Sequence, residues 1–462
     1  MKKKPEISPV MQSVATYIAR ATKKALPKPV VEKTKHHVLD TLAAMVSGSR
    51  LPPGEAAISF IKTRGGTEEA LVIGSRFVTT AENAALANGM LGHADETDDS
   101  HAPSLTHPGC AIVPAALAMA ERGRRDGTSF LRAVALGYDI GARLTLSLHP
   151  YNFREAGHST HSFGPMFGSA AAAGALAGLN YDQCRHLLSY TAQQCSGISC
   201  WMRDEEHIEK AFDFGGMPAR NGVSSAVMVA HGFSAVEDVF SGERNFFFAY
   251  DERARTGKPP MPQRLAQDLG SVYEIMNTNI KRWSVGSPIQ APLDSLLDLI
   301  RTHGIKHNQV EHVTVKVAKQ GANTTDNRHM PDICMQHMCA VMLIDGIVTF
   351  ESAHDEQRMR DKTVQAVRSR ITLIGDEALT RVMPSRQGIV EIKLKDGRTV
   401  SHHTKAVRGT AENPMTRAEV DEKAYHLLAP ILGKKRARGL CDAVWSLDKV
   451  KDMRALRPLL RA

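Results

Sequence analysis

The amino-acid sequence predicts a mainly α protein with α+β parts: a large all-helical domain with a smaller α+β domain inserted into it. Apolar residues recur at helical spacing through the first 250 residues and again after about residue 415, and strand patterns are concentrated between these blocks. The alternating strand and helix units of a doubly wound sheet are not found. We therefore expect a helical domain over residues 1–274, an α+β domain over residues 275–412, and C-terminal helices over residues 413–462 that complete the helical domain.

Several helices of the first block follow from spacing and capping. Apolar residues between Val38 and Val46 share one helical face, and Gly48 marks a stop. Thr80 is a candidate N-cap for the helix that begins at Ala81. Residues 110–121, 130–146 and the small-residue run 168–177 are expected to be helical, the last inside a tightly packed core. A short strand is expected at residues 70–74.

Strand patterns mark the middle of the chain. Residues 313–317 alternate apolar and polar side chains, as a half-buried strand does. Residues 388–401 predict a hairpin, because Val390, Ile392 and Leu394 face one way and the Asp396-Gly397 pair tolerates the positive φ of a tight turn. Helices are expected again over residues 417–432 and 437–447, followed by a basic last helix.

The charge pattern argues against a nucleic-acid partner. The formal net charge is +9, but residues 1–36 carry nine basic against two acidic residues, and residues 434–462 carry nine against three. Basic ends on a slightly acidic body are typical of solvated helix faces, and aromatic residues make up only 5% of the chain. Apolar stretches are too short for a membrane span, and the basic start leads into no apolar signal core, so we expect a cytoplasmic protein.

The cysteine pattern gives no sign of a zinc or dithiol site. Seven cysteines occur and none forms a Cys-x-x-Cys pair, so we expect reduced, mostly buried thiols. No nucleotide-binding glycine motif and no Gly-x-Ser-x-Gly motif is found. The sequence therefore indicates no cofactor.

The densest group of chemically active residues is the polar segment 93–109, HADETDDSHAPSLTHPG, between two predicted helices. Its three histidines and four acids could bind a metal ion, whereas a diphosphate-binding magnesium clamp would need a second acidic cluster, which is not found. The plainer interpretation is a solvated loop whose acids cap the next helix. Pro103 and the turn at residues 106–109 favour a fixed geometry, and therefore a site.

Three further segments are candidates. In residues 157–165, GHSTHSFGP, a histidine could transfer protons and the helix start could hold a carboxylate, although a structural cap is an equal alternative. Lys210, among apolar residues at a loop–helix junction, could pair with a substrate carboxylate, but most lysines are surface charges. Lys281 and Arg282 beside a Gly/Pro loop suit an anion, or mark an ordinary hinge.

In order and spacing, these segments resemble the MmgE/PrpD superfamily, whose members are dehydratases, decarboxylases and epimerases of small polycarboxylic acids. The resemblance spans nearly the whole chain and rests on residues 38–43, 72–75, 85–89, 98–100, 107–109, 158–160, 210, 281 and 343–346. It implies a helical domain with a smaller α+β lid, a homodimer, and a metal-independent cleft between the domains.

The resemblance also assigns roles. His107 and His158 would handle protons, and Lys210 and Lys281 would hold carboxylates. Asp95 or Glu96, together with Ser100, would complete the substrate-binding residues. These assignments give the acidic segment a role in substrate binding and argue against a metal site there.

The sequence departs from the family pattern at three places. Gln290 stands where the family often has a histidine, and the proline and cysteine expected between Lys281 and that position are missing. An aromatic residue expected before Asp345-Gly346 is replaced near residues 335–337, where His337 is a candidate substitute for the lost acid/base group. The polar segment reads Asp-Glu-Thr rather than Asp-Phe, with Ser100 where threonine is common.

Three functions remain open on this basis. The first is a metal-independent lyase, a dehydratase or decarboxylase, that abstracts an α-proton from a small di- or tricarboxylic acid. The second is an epimerase or racemase of a small dicarboxylate similar to iminodisuccinate, which needs no leaving-group acid and so tolerates Gln290. The third is a carboxylate-binding protein without turnover.

Overall fold

The computed structural model describes residues 6–461, so the basic start at residues 2–4 lies outside the described residues. Contacts divide the chain into two units. Unit 1 contains residues up to 94, residues 98–278 and residues from 417 onward, and unit 2 contains residues 95–97 and 279–416. Unit 1 is helical and unit 2 combines helices with a four-stranded sheet. The predicted class, mainly α with α+β, is confirmed.

Unit 1 begins with fourteen α-helices that are joined mostly by short connections. Their bounds are α1 (Pro9–Arg20), α2 (Lys28–Gly48), α3 (Pro52–Lys62), α4 (Ala81–Gly92), α5 (Gly109–Arg122), α6 (Gly127–Ser147), α7 (Pro150–Glu155), α8 (Thr160–Ala177), α9 (Tyr181–Gln194), α10 (Ile208–Ala211), α11 (Met217–Ala230), α12 (Phe246–Ala249), α13 (Arg253–Thr256) and α14 (Gln263–Ala266). A π-helical turn, Phe212–Gly216, joins α10 to α11.

Local sequence explains most of these bounds. Thr80 caps α4 as predicted, because its side-chain oxygen accepts the backbone N–H of Asn83 at 3.3 Å. The expected strand at residues 70–74 is shorter than predicted: β1 (Ala70–Leu71) pairs with β2 (Val78–Thr79) over only two residues. The start of α8 also differs, since the helix begins at Thr160 and not at the expected residue 168.

The small-residue helix α8 lies in the core of unit 1, as predicted, and packs closely on α6. A Cβ added at Gly164 would lie 2.5 Å from the carbonyl oxygen of Gly141, and one added at Gly168 would lie 2.5 Å from that of Gly137. Only glycine allows backbones to approach so closely, so these residues fix the separation of the two helices. This packing sets the position of the first turn of α8.

Unit 2 contains six α-helices and a mixed sheet. The helices are α15 (Ser287–His303), α16 (Lys319–Thr325), α17 (Met335–Asp345), α18 (Phe350–Ala353), α19 (Lys362–Arg368) and α20 (Glu377–Arg381). The strands are β3 (Val310–Ala318), β4 (Ile371–Asp376), β5 (Gly388–Leu394) and β6 (Thr399–Thr404), in the order β4-β3-β5-β6.

The hairpin of β5 and β6 forms with its turn at the predicted place. Ile392 pairs with Val400, and Gly397 adopts the positive φ of 90° that the turn requires. Strand β4 was not predicted, and it pairs parallel to β3 with Ile371 opposite Val313. One face of the sheet packs on α15 and α17 to form the apolar core of unit 2.

The chain returns to unit 1 with α21 (Arg417–Leu432) and α22 (Lys434–Trp445), as predicted. The expected basic last helix is instead a series of short turns that ends in α23 (Arg457–Leu460). Helix α21 is anchored by an ion pair in which Lys423 donates to the buried carboxylate of Asp40 at 2.6 Å. Among the described residues, none of the helices has the length and apolar character to cross a bilayer.

Candidate functional site

Four histidine rings and one phenylalanine ring form a buried cluster in unit 1; one of the four histidines, His207, lies just before α10 with its ring centre 5.0 Å from that of His93. His93 follows the last turn of α4, His107 precedes α5, His161 lies in the first turn of α8, and Phe214 lies in the π-helical turn. The ring centres of His93 and His107 are 5.1 Å apart, and those of His107 and His161 are 5.2 Å apart. Phe214 stacks on His161 at 3.7 Å and on His93 at 4.3 Å. Four separate segments therefore supply one histidine cluster beside a π turn, a feature often found at functional sites.

Asp98 joins two of these histidines. Its carboxylate oxygens lie 2.9 Å from Nδ1 of His93 and 3.1 Å from Nδ1 of His107, and the carboxylate is fully buried. An ionised carboxylate only accepts hydrogen bonds, so both histidines carry a proton on Nδ1 and, when neutral, keep Nε2 as the acceptor. Asp98 thus sets the orientation and tautomer of both rings.

His161 lies in a different environment. Its Nδ1 is buried and, within residues 6–461, no group hydrogen-bonds to it. Burial lowers the pKa of His161 well below its usual range, and the neighbouring His107 and His93 lower it further. The ring is therefore neutral at physiological pH.

Lys210 supplies a positive charge beside the cluster. Its ammonium lies 5.4 Å from the ring centre of Phe214 and 5.8 Å from that of Trp201, and the side chain is half-buried. The indole N–H of Trp201 donates to the hydroxyl of Ser159 at 3.2 Å, and that hydroxyl donates to Asp213. Burial raises the pKa of Asp213 to about 7, although the bond from Ser159 opposes the rise.

The hydroxyl groups at the start of α8 are occupied by the protein itself. Besides the bond from Ser159 to Asp213, the Thr160 hydroxyl donates to the carbonyl of Leu105 at 2.7 Å. These two side chains hold neighbouring segments together around the cluster. The expected carboxylate site at this helix start would have to rely on backbone N–H groups alone.

His158 contacts a different set of residues. Its Nε2 lies 2.8 Å from a carboxylate oxygen of Glu252, and its ring stacks on Phe153 at 4.3 Å. Tyr250 meets the ring edge-on at 5.8 Å. Residues 157–165 therefore bring His161, rather than His158, into the histidine cluster.

In unit 2, two consecutive acids of the polar segment each pair with a buried or largely buried cation. Lys281 donates to the carboxylate of Glu96 at 3.1 Å and to the carbonyl of Glu96 at 2.8 Å. Nε2 of His354 lies 3.1 Å from the carboxylate of Asp95. Burial alone would lower the pKa of His354, but the contact with Asp95 outweighs it and raises that pKa to about 9. Sequence reasoning anticipated Asp95, Glu96 and Lys281 and missed His354.

The remaining predicted residues have diverse surroundings. Both side-chain N–H groups of Gln290 donate to loop carbonyls, those of Trp283 at 2.8 Å and Val285 at 2.9 Å, so its amide has no free donor for a ligand. His337 is buried in α17, and burial lowers its pKa to about 4 with help from Arg368 and Arg358. Ser100 is buried in unit 1.

Asp99, next to Asp98, belongs to a supporting network. It accepts hydrogen bonds from Tyr138 at 2.6 Å and from the backbone N–H of Gly109 at 2.9 Å, and it lies 2.7 Å from Nδ1 of His37. A Cβ at Gly109 would lie 2.8 Å from both the Asp99 carboxylate and the Tyr138 hydroxyl, so only glycine fits there. Sequence reasoning missed His37 and Tyr138, because neither is part of a local motif.

One group of side chains in unit 1 has metal-ligand spacing. The nitrogen, oxygen and sulfur atoms of His93, Asp98 and Cys110 lie within 4.8 Å of one another. His93 and Asp98 already bond to each other, however, and the Cys110 thiol donates to the carbonyls of His107 at 3.1 Å and Phe214 at 3.6 Å. A metal ion would have to displace these bonds and deprotonate a buried thiol.

Two family models match successive parts of the chain. The family model of the MmgE/PrpD N-terminal domain matches residues 12–256, and that of the MmgE/PrpD C-terminal domain matches residues 283–449. A cis-aconitate decarboxylase-like protein, oryM, of Aspergillus oryzae is 23% identical, with 98% of this chain and 97% of that protein covered. Cis-aconitate decarboxylases of Aspergillus terreus and Homo sapiens are 22% and 23% identical, with 94% and 98% of this chain and 92% and 94% of those proteins covered.

Proposed function

Because the chain belongs to the MmgE/PrpD family, which it matches over both family domains, we propose that it is a lyase acting on a small di- or tricarboxylic acid. The names of its relatives, cis-aconitate decarboxylases, support a carboxy-lyase or hydro-lyase reaction. Identity of about 22% to these relatives supports a shared chemical class of substrate, and not one particular substrate. The reaction proposed is abstraction of a proton next to a carboxylate, without a metal ion.

The observation that carries the proposal is the buried histidine cluster with a lysine beside it. General acid–base catalysis needs a proton-transferring group that is held in a fixed orientation. His107 meets this need because Asp98 fixes its tautomer. Lys210 adds the positive charge that attracts a substrate carboxylate and stabilises the negative charge that develops on it.

These groups suit the electronic demands of the reaction. When the α C–H bond breaks, its electron pair moves towards the adjacent carboxylate and forms an enediolate, and the proton passes to a histidine. The Lys210 ammonium favours that anion electrostatically. In a dehydration the enediolate then expels a hydroxyl group that a second acid protonates. A decarboxylation needs no prior loss of the α-proton: the C–C bond breaks, CO₂ leaves, and a histidine protonates the carbon that keeps the electron pair.

A second function, epimerisation of a small dicarboxylate, is favoured by Gln290. An amide transfers no protons at neutral pH, and both N–H groups of Gln290 are bound to loop carbonyls. An epimerase removes and returns one proton and has no leaving group to protonate. An epimerase can therefore do without the histidine that the family often has at position 290, whereas a lyase that uses this histidine as an acid cannot.

Proton NMR in D₂O tests both functions with EDTA-treated protein and a panel of acids: cis-aconitate, citrate, tartrate and aspartate-like dicarboxylates. Formation or loss of a vinylic signal would establish a lyase. Deuterium entering the α-carbon with conversion to the other stereoisomer would establish an epimerase. Activity that returns only after a divalent metal is added would contradict the metal-free reaction, and unchanged acids throughout would leave a carboxylate-binding protein as the better account.

A further inference from the structure

We propose that His161 is a catalytic residue of this site and serves as the proton acceptor. The inference rests on the proposed function and names a group that the sequence pattern did not single out. It follows from the position of the ring, from the lack of a hydrogen-bond partner for its Nδ1 within residues 6–461, and from the contrast with His107.

The position of the His161 ring is tightly defined. It lies parallel to Phe214, with an interplanar angle of 7° and ring centres 3.7 Å apart, and Trp201 meets it edge-on at 5.3 Å. The first turn of α8 holds its backbone, and close packing on α6 fixes that turn. A ring held on two sides by aromatic groups has few alternative rotamers, as a catalytic group needs.

The chemical environment of His161 suits a base. Most buried polar atoms have a hydrogen-bond partner, yet within the described chain Nδ1 of His161 has none, as is also true of Nε2 of His93. Burial and the nearby His107, His93, Lys210 and Arg154 all disfavour its protonated form, so the neutral ring keeps a nitrogen lone pair available at neutral pH. A neutral imidazole keeps one nitrogen that can accept a proton.

His107 is the complementary group. Its Nδ1 faces the Asp98 carboxylate, which stabilises the imidazolium form of the ring, the form that donates a proton as an acid. His161 has no carboxylate partner among the described residues. Two titratable groups 5.2 Å apart in opposite electrostatic surroundings are the arrangement that separates a base from an acid.

The other candidates are less suitable for this role. His158 is bound to Glu252, and both N–H groups of Gln290 are bound to loop carbonyls. His93 shares the Asp98 carboxylate with His107 and so has the same kind of environment. Within the described residues, His161 alone among these four side chains is buried, contacts His107 and has no carboxylate partner.

The step assigned to His161 is the first proton transfer. The α C–H bond of the substrate breaks, its electron pair enters the enediolate of the adjacent carboxylate, and the proton is bonded to the free nitrogen of His161. Lys210 pairs with the carboxylate that receives the charge. In D₂O the acceptor exchanges its proton with solvent, so reversal of the step places deuterium on the α-carbon.

The test uses the acid that the wild-type protein converts in the NMR panel. His161→Phe keeps a ring that stacks on Phe214 and removes both nitrogens, and His161→Gln serves if the first variant fails to fold. His231→Phe, at an exposed histidine beyond the end of α11, is the matched control. We expect kcat to fall by about 10²- to 10⁴-fold in the His161 variants, with KM within about threefold of wild type and with loss of α-deuterium incorporation.

A folded His161 variant that retains kcat within about threefold, or that incorporates α-deuterium at the wild-type rate, would overturn the assignment and leave the proposed function standing. A rise in KM with an unchanged kcat would also overturn it, because a binding role predicts that result and the loss of a proton acceptor does not. If the wild-type protein converts none of the panel acids, the proposed function fails and the assignment fails with it.

Discussion

The ion pair between His354 and Asp95 predicts a pH dependence of stability with a defined sign. The pKa of His354 rises from an unfolded value of 6.5 to about 9, so between these values the folded protein holds a proton that the unfolded chain releases. Stability from this group is fully present below pH 6.5 and is lost as the pH rises towards 9. A rise of this size corresponds to roughly 3 kcal/mol, and we expect about 2 kcal/mol to be observed because the imidazole is 18% exposed.

The assay is urea unfolding between pH 6.5 and pH 8, with the free energy of unfolding plotted against pH. Wild-type protein should lose about 1 kcal/mol per pH unit more than His354→Phe, which keeps the ring contact with Phe350 but cannot titrate. Asp95→Asn should flatten the slope in the same way. Groups such as Asp213 titrate in all three proteins and cancel in the difference. Parallel slopes for wild type and His354→Phe would refute the reasoning.

Three further predictions concern the same segment. Lys281→Met should lower the free energy of unfolding by about 3 to 5 kcal/mol, because it leaves the Glu96 carboxylate buried without its cation. The double variant Lys281→Met with Glu96→Gln should recover much of that loss. Additive effects of the two substitutions in urea unfolding would contradict this expectation. Asp98→Asn should lower kcat roughly 10²-fold with little change in KM, because the amide no longer fixes the histidine tautomers; an unaltered kcat would show that the carboxylate is not needed. Tyr138→Phe should cost about 1 to 3 kcal/mol in thermal unfolding, because it removes a donor to the buried Asp99 carboxylate, whereas a neutral effect would mean that another donor takes its place.

The fold was predictable wherever local pattern and tertiary packing favour the same structure. The hairpin at Gly397 and the cap at Thr80 depend on turn and capping chemistry within a few residues, and both form as predicted. Strand β4 was missed because only part of its surface is buried, so its side chains show no clear alternation. The start of α8 was misplaced because glycine and proline between residues 157 and 165 indicate a loop, and packing on α6 overrides that preference.

The segments that form the candidate site could be predicted from the sequence, but the contacts between their side chains could not. Histidines and acids crowded into residues 93–109 signalled chemistry, and the structure buries this segment instead of exposing it as a solvated loop. Which of His158 and His161 enters the cluster depends on the direction of the helix start, which composition does not reveal. His354 contacts an acid more than 250 residues away in sequence, and no local pattern in a single sequence records such a pairing.

The polar segment has a consequence for how the protein tolerates insertions and deletions. Four acids within five residues have four separate sets of partners: His354 for Asp95, Lys281 for Glu96, His93 and His107 for Asp98, and His37 and Tyr138 for Asp99. Removing one residue would shift every carboxylate to the position of its neighbour and leave several buried charges unpaired at once. Single substitutions here should be survivable, whereas a change in length should not. The spacing of this segment, more than the identity of any one acid, is therefore the feature by which distant relatives should be aligned.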